Sequence, residues 1–152
     1  MEVYLASAAG LLSWCGKWRK IPTPLAHPTL LAACGADVAL ADSVNRLLYR
    51  QGRVSTLPPG VEVLRCWRNQ LLTLSSETNC LTLYDAHDYP LVTLPVGIRP
   101  CDCAVVDCQV IVCGCEDGCL HIFSLPDLRE IAAYPVPGCP MRVAADGGGF
   151  TC

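Results

Sequence analysis

Four cysteines, Cys101, Cys103, Cys113 and Cys115, are the residues of this chain whose type and spacing come nearest to chemistry. They lie on two apolar stretches joined by Asp107-Cys108-Gln109. If those three residues form a hairpin turn, Cys103 faces Cys113 and Cys101 faces Cys115, and the two-residue period of a strand puts all four thiols on one side of the sheet. Four converging thiolates are what a structural zinc needs. The spacing is Cys-x-Cys on both strands, however, without the Cys-x-x-Cys knuckle that bends thiolates toward one ion. Opposed Cβ atoms about 4.5–5.5 Å apart suit the packing of small apolar residues better than chelation. The four are therefore expected to be buried, reduced and metal-free. A metal or redox role for Cys101, Cys103, Cys113 and Cys115, and cross-strand disulfides, are the alternatives.

The other reactive side chains form no catalytic constellation. His27 sits in a proline-flanked loop, His87 in a turn with Asp85 and Asp88, and His121 in mid-strand. No His-x-x-x-His or Cys-x-x-Cys-His occurs, so metal and haem binding gain no support. There is no Gly-x-Ser-x-Gly, phosphate-binding loop or Gly-x-Gly-x-x-Gly. Gly147-Gly148-Gly149 follows Asp146 where a hairpin turn is due, and Glu116-Asp117 stands in an inter-strand turn ahead of Gly118. No cofactor is expected.

The elements that carry these residues repeat four times. Each unit is an apolar strand, a polar turn, a strand ending in an aromatic, and a third strand closing on proline. The openers are Val3, Val38, Leu71 and Val110, and the aromatics Trp14, Tyr49, Tyr84 and Phe123. The closing dipeptides are Ile21-Pro22, Leu57-Pro58, Leu94-Pro95 and Tyr134-Pro135, with prolines 36, 37 and 40 residues apart. A period in that range, built of short strands alone, marks a β-propeller or similar array. Proline after the third strand fits an outer edge, where a missing N–H costs no ladder bond. The units run over residues 3–37, 38–70, 71–109 and 110–149, a fifth begins at Phe150, and all of 1–152 reads as one all-β domain of about sixteen short strands.

The stretch Val92-Thr93-Leu94-Pro95-Val96-Gly97-Ile98-Arg99-Pro100 and the segment from Ser76 to Asp85, Ser-x-x-Asn-x-Leu-x-Leu-Tyr-Asp, resemble YVTN-type β-propeller repeats. Ile131-Ala132-Ala133-Tyr134-Pro135-Val136-Pro137-Gly138-Cys139-Pro140 repeats the pattern more loosely, and residues 3–70 follow it by spacing and hydrophobicity only. The Tyr-Val-Thr-Asn stretch itself is replaced by Leu72-Thr73-Leu74-Ser75 and Ile111-Val112-Cys113-Gly114. The resemblance implies blades of a closed ring of about seven. Four units are then either part of a longer propeller or a half-ring that pairs with a second copy, and self-association through open blade edges is expected. Related propellers include lactone hydrolases, which makes a propeller enzyme the alternative to a non-catalytic scaffold that binds a protein or small molecule; structural assembly through the open edges is the third reading.

Composition narrows the partners. The chain is 52% hydrophobic and 16% charged with a net charge of −3, and its 11 Lys and Arg form no basic stripe. Neither nucleic acid nor membrane is expected as a partner. The apolar residues 3–12 lack a basic leader and match the strand-turn-strand rhythm of later units, so they read as the first repeat and not as a signal peptide. Twelve cysteines without an export signal point to reduced thiols in the cytoplasm. In a propeller the loops from one blade's outer strand to the next blade's inner strand gather on one face. Their polar residues, His27, Glu62 and Arg99, are the candidate ligand-binding residues.

Overall fold

The computed structural model describes residues 3–7, 10–35, 37–97, 99–145 and 150–151. They form seventeen short antiparallel strands and no helix. The first sheet has three strands, β1 (Val3–Ser7), β2 (Gly10–Trp14) and β3 (Trp18–Ile21). Three four-stranded meanders follow. They are β4 (Leu30–Cys34), β5 (Asp37–Asp42), β6 (Leu47–Arg50) and β7 (Arg53–Thr56); β8 (Val61–Trp67), β9 (Gln70–Ser75), β10 (Cys80–Tyr84) and β11 (Pro90–Pro95); and β12 (Pro100–Val106), β13 (Gln109–Gly114), β14 (Cys119–Ser124) and β15 (Glu130–Pro135). β16 (Ala144–Ala145) pairs with β17 (Phe150–Thr151). The glycine turn at 147–149 lies outside the described residues.

β4 lies beside β8, β8 beside β12 and β12 beside β16, so the first strands of successive sheets line a common axis. β7, β11 and β15 stand at the outer edges. This radial stacking of four-stranded antiparallel blades is a β-propeller, as the period implied. Pro95 and Pro135 end their edge strands opposite Cys80 and Cys119. The three later sequence units begin in a blade's second strand, at Val38 in β5, Leu71 in β9 and Val110 in β13, whereas Val3 begins the first strand of the three-stranded sheet; residues 71–109 span β9, β10 and β11 of one blade and β12 of the next.

Both faces of a blade are covered, which is why so few residues are charged. One face of β9 and β10 buries Leu72, Leu74, Leu81 and Leu83 against Cys103, Val110, Val112 and Phe123 of the following blade. The opposite face turns Leu71, Leu64 and Tyr84 toward Ala39, Ala41 and Leu48 of the preceding one. At about 1.5–3 kcal/mol for each large apolar side chain removed from water, these seams dominate blade adhesion. Polar staples supplement them. Trp67 Nε1 donates to the Asp107 carbonyl at 2.6 Å, and Arg50, 1% exposed, bonds the Asn69 and Asp85 carbonyls and pairs with Asp88 at 3.4 Å.

The hairpin carrying the cysteines differs from expectation by one residue. Val106 pairs with Gln109 and Cys103 with Val112, leaving a two-residue turn at Asp107-Cys108. Asp107 has a φ of 49°, the left-handed value such tight turns demand at their first position. A one-residue slip moves side chains to the other face. Cys103 accordingly joins Val110 and Val112 in one core, while Cys113 faces Asp102 and lies with Ala104 and Ile111 in another. The four cysteines do not converge.

Cys34 and Cys66 form a disulfide between β4 and β8, and Cys115 is bridged to Cys139, with Cα separations of 5.3 and 5.0 Å. Cys115 is therefore oxidised, against the all-reduced expectation for its group. The bridges also overturn the cytoplasmic assignment, because structural disulfides form and persist in oxidising compartments.

Candidate functional site

Two of the three loop residues singled out in the sequence share a cavity. Glu62 and Arg99 line one cavity of about 300 Å³, with Ser76, Cys101, Cys115 and Arg142 around them. Glu62 stands exposed at the start of β8, where the pairing with β9 shifts between Val61 and Val63. Its Oε1 accepts the Ser76 hydroxyl at 2.7 Å. Arg99 has a φ of 51° and donates its backbone N–H to Asn79 Oδ1 at 3.0 Å, so the neighbouring blade orients the loop.

The Arg99 guanidinium reaches Glu116 at 3.7 Å with both side chains more than half exposed, a contact of small energy. Arg142 makes no ion pair among the described residues. It follows Cys139 by three residues, so the bridge to Cys115 fixes its segment beside the cavity; Met141 Sδ lies 3.4 Å from Cys115 Sγ. Sequence reasoning missed Arg142, whose loop position is visible only once β16 is placed.

His27 is not part of this cavity. It is exposed between β3 and β4, and its backbone N–H donates to Asp42 Oδ2 at 3.1 Å. Asp42 is fully buried, and hydrogen bonds from the Asn45 amide and backbone hold its carboxyl below the ordinary carboxylate range. His27 thus takes part in a loop clasp.

A second cavity, of about 470 Å³, opens along the inner strands between Ala32, Arg65, Cys66, Ala104 and Val143. Arg65 Nη2 pairs with Asp102 at 2.9 Å and its Nε donates to the Cys103 carbonyl at 2.8 Å. Asp102 Oδ2 accepts the Val143 N–H at 3.1 Å. With these bonds made, Arg65 and Asp102 join three successive inner segments, and the other residues lining the cavity carry no charge.

Burial pushes the Cys103 thiol up to about 12, with Arg65 opposing the shift only in part. We expect Cys103 to resist Ellman's reagent in the native chain while exposed Cys15 and Cys108 react, and to react once urea unfolds it. Peptide mapping that finds native Cys103 labelled as fast as Cys15 would contradict the buried placement.

His121, which the sequence showed as isolated, is clamped on both ring nitrogens. Nε2 meets Asp117 Oδ2 at 2.7 Å and Nδ1 meets Glu130 Oε1 at 2.8 Å. Burial alone would lower its pKa, but hydrogen bonds to Glu130 and Asp117 outweigh that and raise it above the ordinary histidine value. The available signal was Asp117-x-Cys119-x-His121, three donors at alternate positions.

No protein-family model matches the sequence, and no curated protein does. The fold does have solved neighbours. Apo AztD from Citrobacter koseri superposes with a TM-score of 0.73 at 14% identity, over 91% of this chain and 46% of that one. A chain of the Mitotic Checkpoint Complex gives 0.70 at 10% identity, over 90% and 49%. The computationally designed Ika4 protein gives 0.65 at 12% identity, over 78% and 79%. At such identities the likeness establishes the β-propeller architecture alone. The chain spans about half the length of the first two proteins.

Proposed function

We propose that this propeller is a non-catalytic binding module whose face cavity takes a small ligand carrying a carboxylate or phosphate between Arg99 and Arg142. The observation that carries the reading is two guanidinium groups on one concave wall of about 300 Å³, neither held in a strong internal pair. A guanidinium offers a planar fork of donors that matches an oxyanion. The volume is at the lower end of small-molecule sites, which suits a compact ligand. Glu62, opposite, would favour a ligand that also carries a cationic or hydroxyl group. The blades are read as YVTN-type because the 92–97 stretch forms the edge strand β11 and the left-handed Gly97 after it, φ 57°. A hydrolase draws little support from this cavity, where Glu62 is the one acidic lining residue among the described residues and is tied to Ser76.

Titration calorimetry with inorganic phosphate and succinate tests the reading. One-site binding of either anion is expected, weakened about 10- to 100-fold in Arg99→Ala and in Arg142→Ala, the loss of a charge-assisted hydrogen bond being about 1.5–3 kcal/mol. Binding indifferent to both substitutions, or none by the parent chain, would reject it.

A further inference from the structure

Asp117, Cys119 and His121 lie at alternate positions from the β13–β14 turn into β14, and the strand period turns Cys119 and His121 to the same side. Their carboxylate oxygen, Sγ and ring nitrogen all fall within 4.8 Å of one another. The carboxylate is already aimed. Asp117 Oδ1 accepts the Cys119 backbone N–H at 3.0 Å, which leaves Oδ2 facing His121 Nε2 at 2.7 Å. On the far side of the ring, Nδ1 meets Glu130 Oε1 at 2.8 Å. A histidine that binds a metal through one nitrogen gives the other to a carboxylate or carbonyl, which fixes the ring and its tautomer. That outer contact is in place here.

Two glycines keep the space open. A Cβ at Gly114 would overlap the Asp117 carboxylate. A Cβ at Gly97, in the loop leaving the preceding blade, would stand 2.9 Å from Asp117 Oδ2 and 3.2 Å from His121 Nε2. Any larger residue at either position would intrude on the donor atoms.

We propose that Asp117, Cys119 and His121 are the ligands of a single divalent transition-metal ion of the zinc class, with Glu130 as the outer carboxylate and a water in the fourth position. Mixed oxygen, nitrogen and sulfur donors suit a borderline ion and exclude calcium and magnesium, which take oxygen ligands. The required movement is small. Bonds of about 2.1 Å to Asp117 and His121 place those two atoms about 3.4 Å apart on a tetrahedron's edge, so the contact need open by only about 0.7 Å. The site is distinct from the four-cysteine arrangement that the hairpin register rules out. Its ligands and outer carboxylate all come from one blade, and Gly97 of the loop leaving the blade before it stands beside them.

Cobalt(II), added to the full chain with its disulfides intact, is the probe. A one-to-one complex is expected, with a thiolate-to-cobalt absorption band and the strong visible bands of tetrahedral cobalt. Cys119→Ser should abolish the thiolate band, Glu130→Gln should weaken binding 10- to 100-fold, and Cys101→Ser should change neither. His121→Ala should weaken binding further than Glu130→Gln. Melting curves identify any variant that fails to fold, and the remaining variants then decide. A thiolate band that survives Cys119→Ser, an affinity unchanged by Glu130→Gln, or no one-to-one complex with the parent chain overturns the proposal.

Discussion

Replacing Arg50 by alanine should cost about 3–5 kcal/mol, the usual penalty for removing one partner of a buried ion pair. Arg50 is 1% exposed at the end of β6, and its side chain crosses from one blade to the next. There it bonds the carbonyls of Asn69 and Asp85 and pairs with Asp88, whose side chain is 4% exposed. Truncation takes the guanidinium donor from the part-buried Asn69 carbonyl and from the Asp88 carboxylate, while the Asp85 carbonyl keeps the Asp88 N–H. The Nε atom has no partner among the described residues, so the guanidinium is not fully repaid even in the native chain. Arg50→Met, which restores the volume and removes the charge, should lose less when combined with Asp88→Asn than the single changes sum to. Urea denaturation of the four proteins measures this coupling. A loss below about 1 kcal/mol for Arg50→Ala would show that the staple contributes little to blade adhesion.

Removing the Cys34–Cys66 bridge should have an effect of similar size. The two residues are 32 apart in sequence, and a cross-link closing a loop of that length restricts the unfolded chain by about 3–4 kcal/mol. It joins β4 to β8, inner strands of different sheets that share no ladder hydrogen bonds. The double substitution Cys34→Ala, Cys66→Ala should therefore lower the urea midpoint strongly, with dithiothreitol adding only what the Cys115–Cys139 bridge contributes. If parent and variant melt together under oxidising conditions, the bridge is not constraining the chain. The same experiment bears on the compartment: a chain that depends on this cross-link must fold where thiols are oxidised.

The strands themselves are legible in the residues. Alternation in Leu81-Thr82-Leu83, glycine and proline punctuation, and the 36- to 40-residue proline period are local properties, and local sterics and hydrogen bonding suffice to turn them into hairpins. The propeller follows because short amphipathic meanders at that period can bury their faces only against one another. Glu62 and Arg99 line one cavity for the same reason: the loops between an outer strand and the next inner strand must share a face.

What eluded the sequence depends on register and on neighbours distant along the chain. Asp107-Cys108 and Asp107-Cys108-Gln109 are equally plausible turns by composition. Choosing the shorter one sends Cys103 and Cys113 to opposite faces, because the side-chain period is two. Cys34 meets Cys66 only when successive blades stack, Cys115 meets Cys139 only when the segment after β15 lies beside the β13–β14 turn, and nothing in their spacing distinguishes these pairs from other pairings of twelve cysteines. His121 looks solitary in the chain because Glu130 reaches it only across the β14–β15 ladder, and Asp117 only by way of the β13–β14 turn. By itself the sequence determined the strands, their period and the propeller class. The tertiary structure alone decided which side chains meet, since contacts between blades are set by sheet stacking and hairpin register.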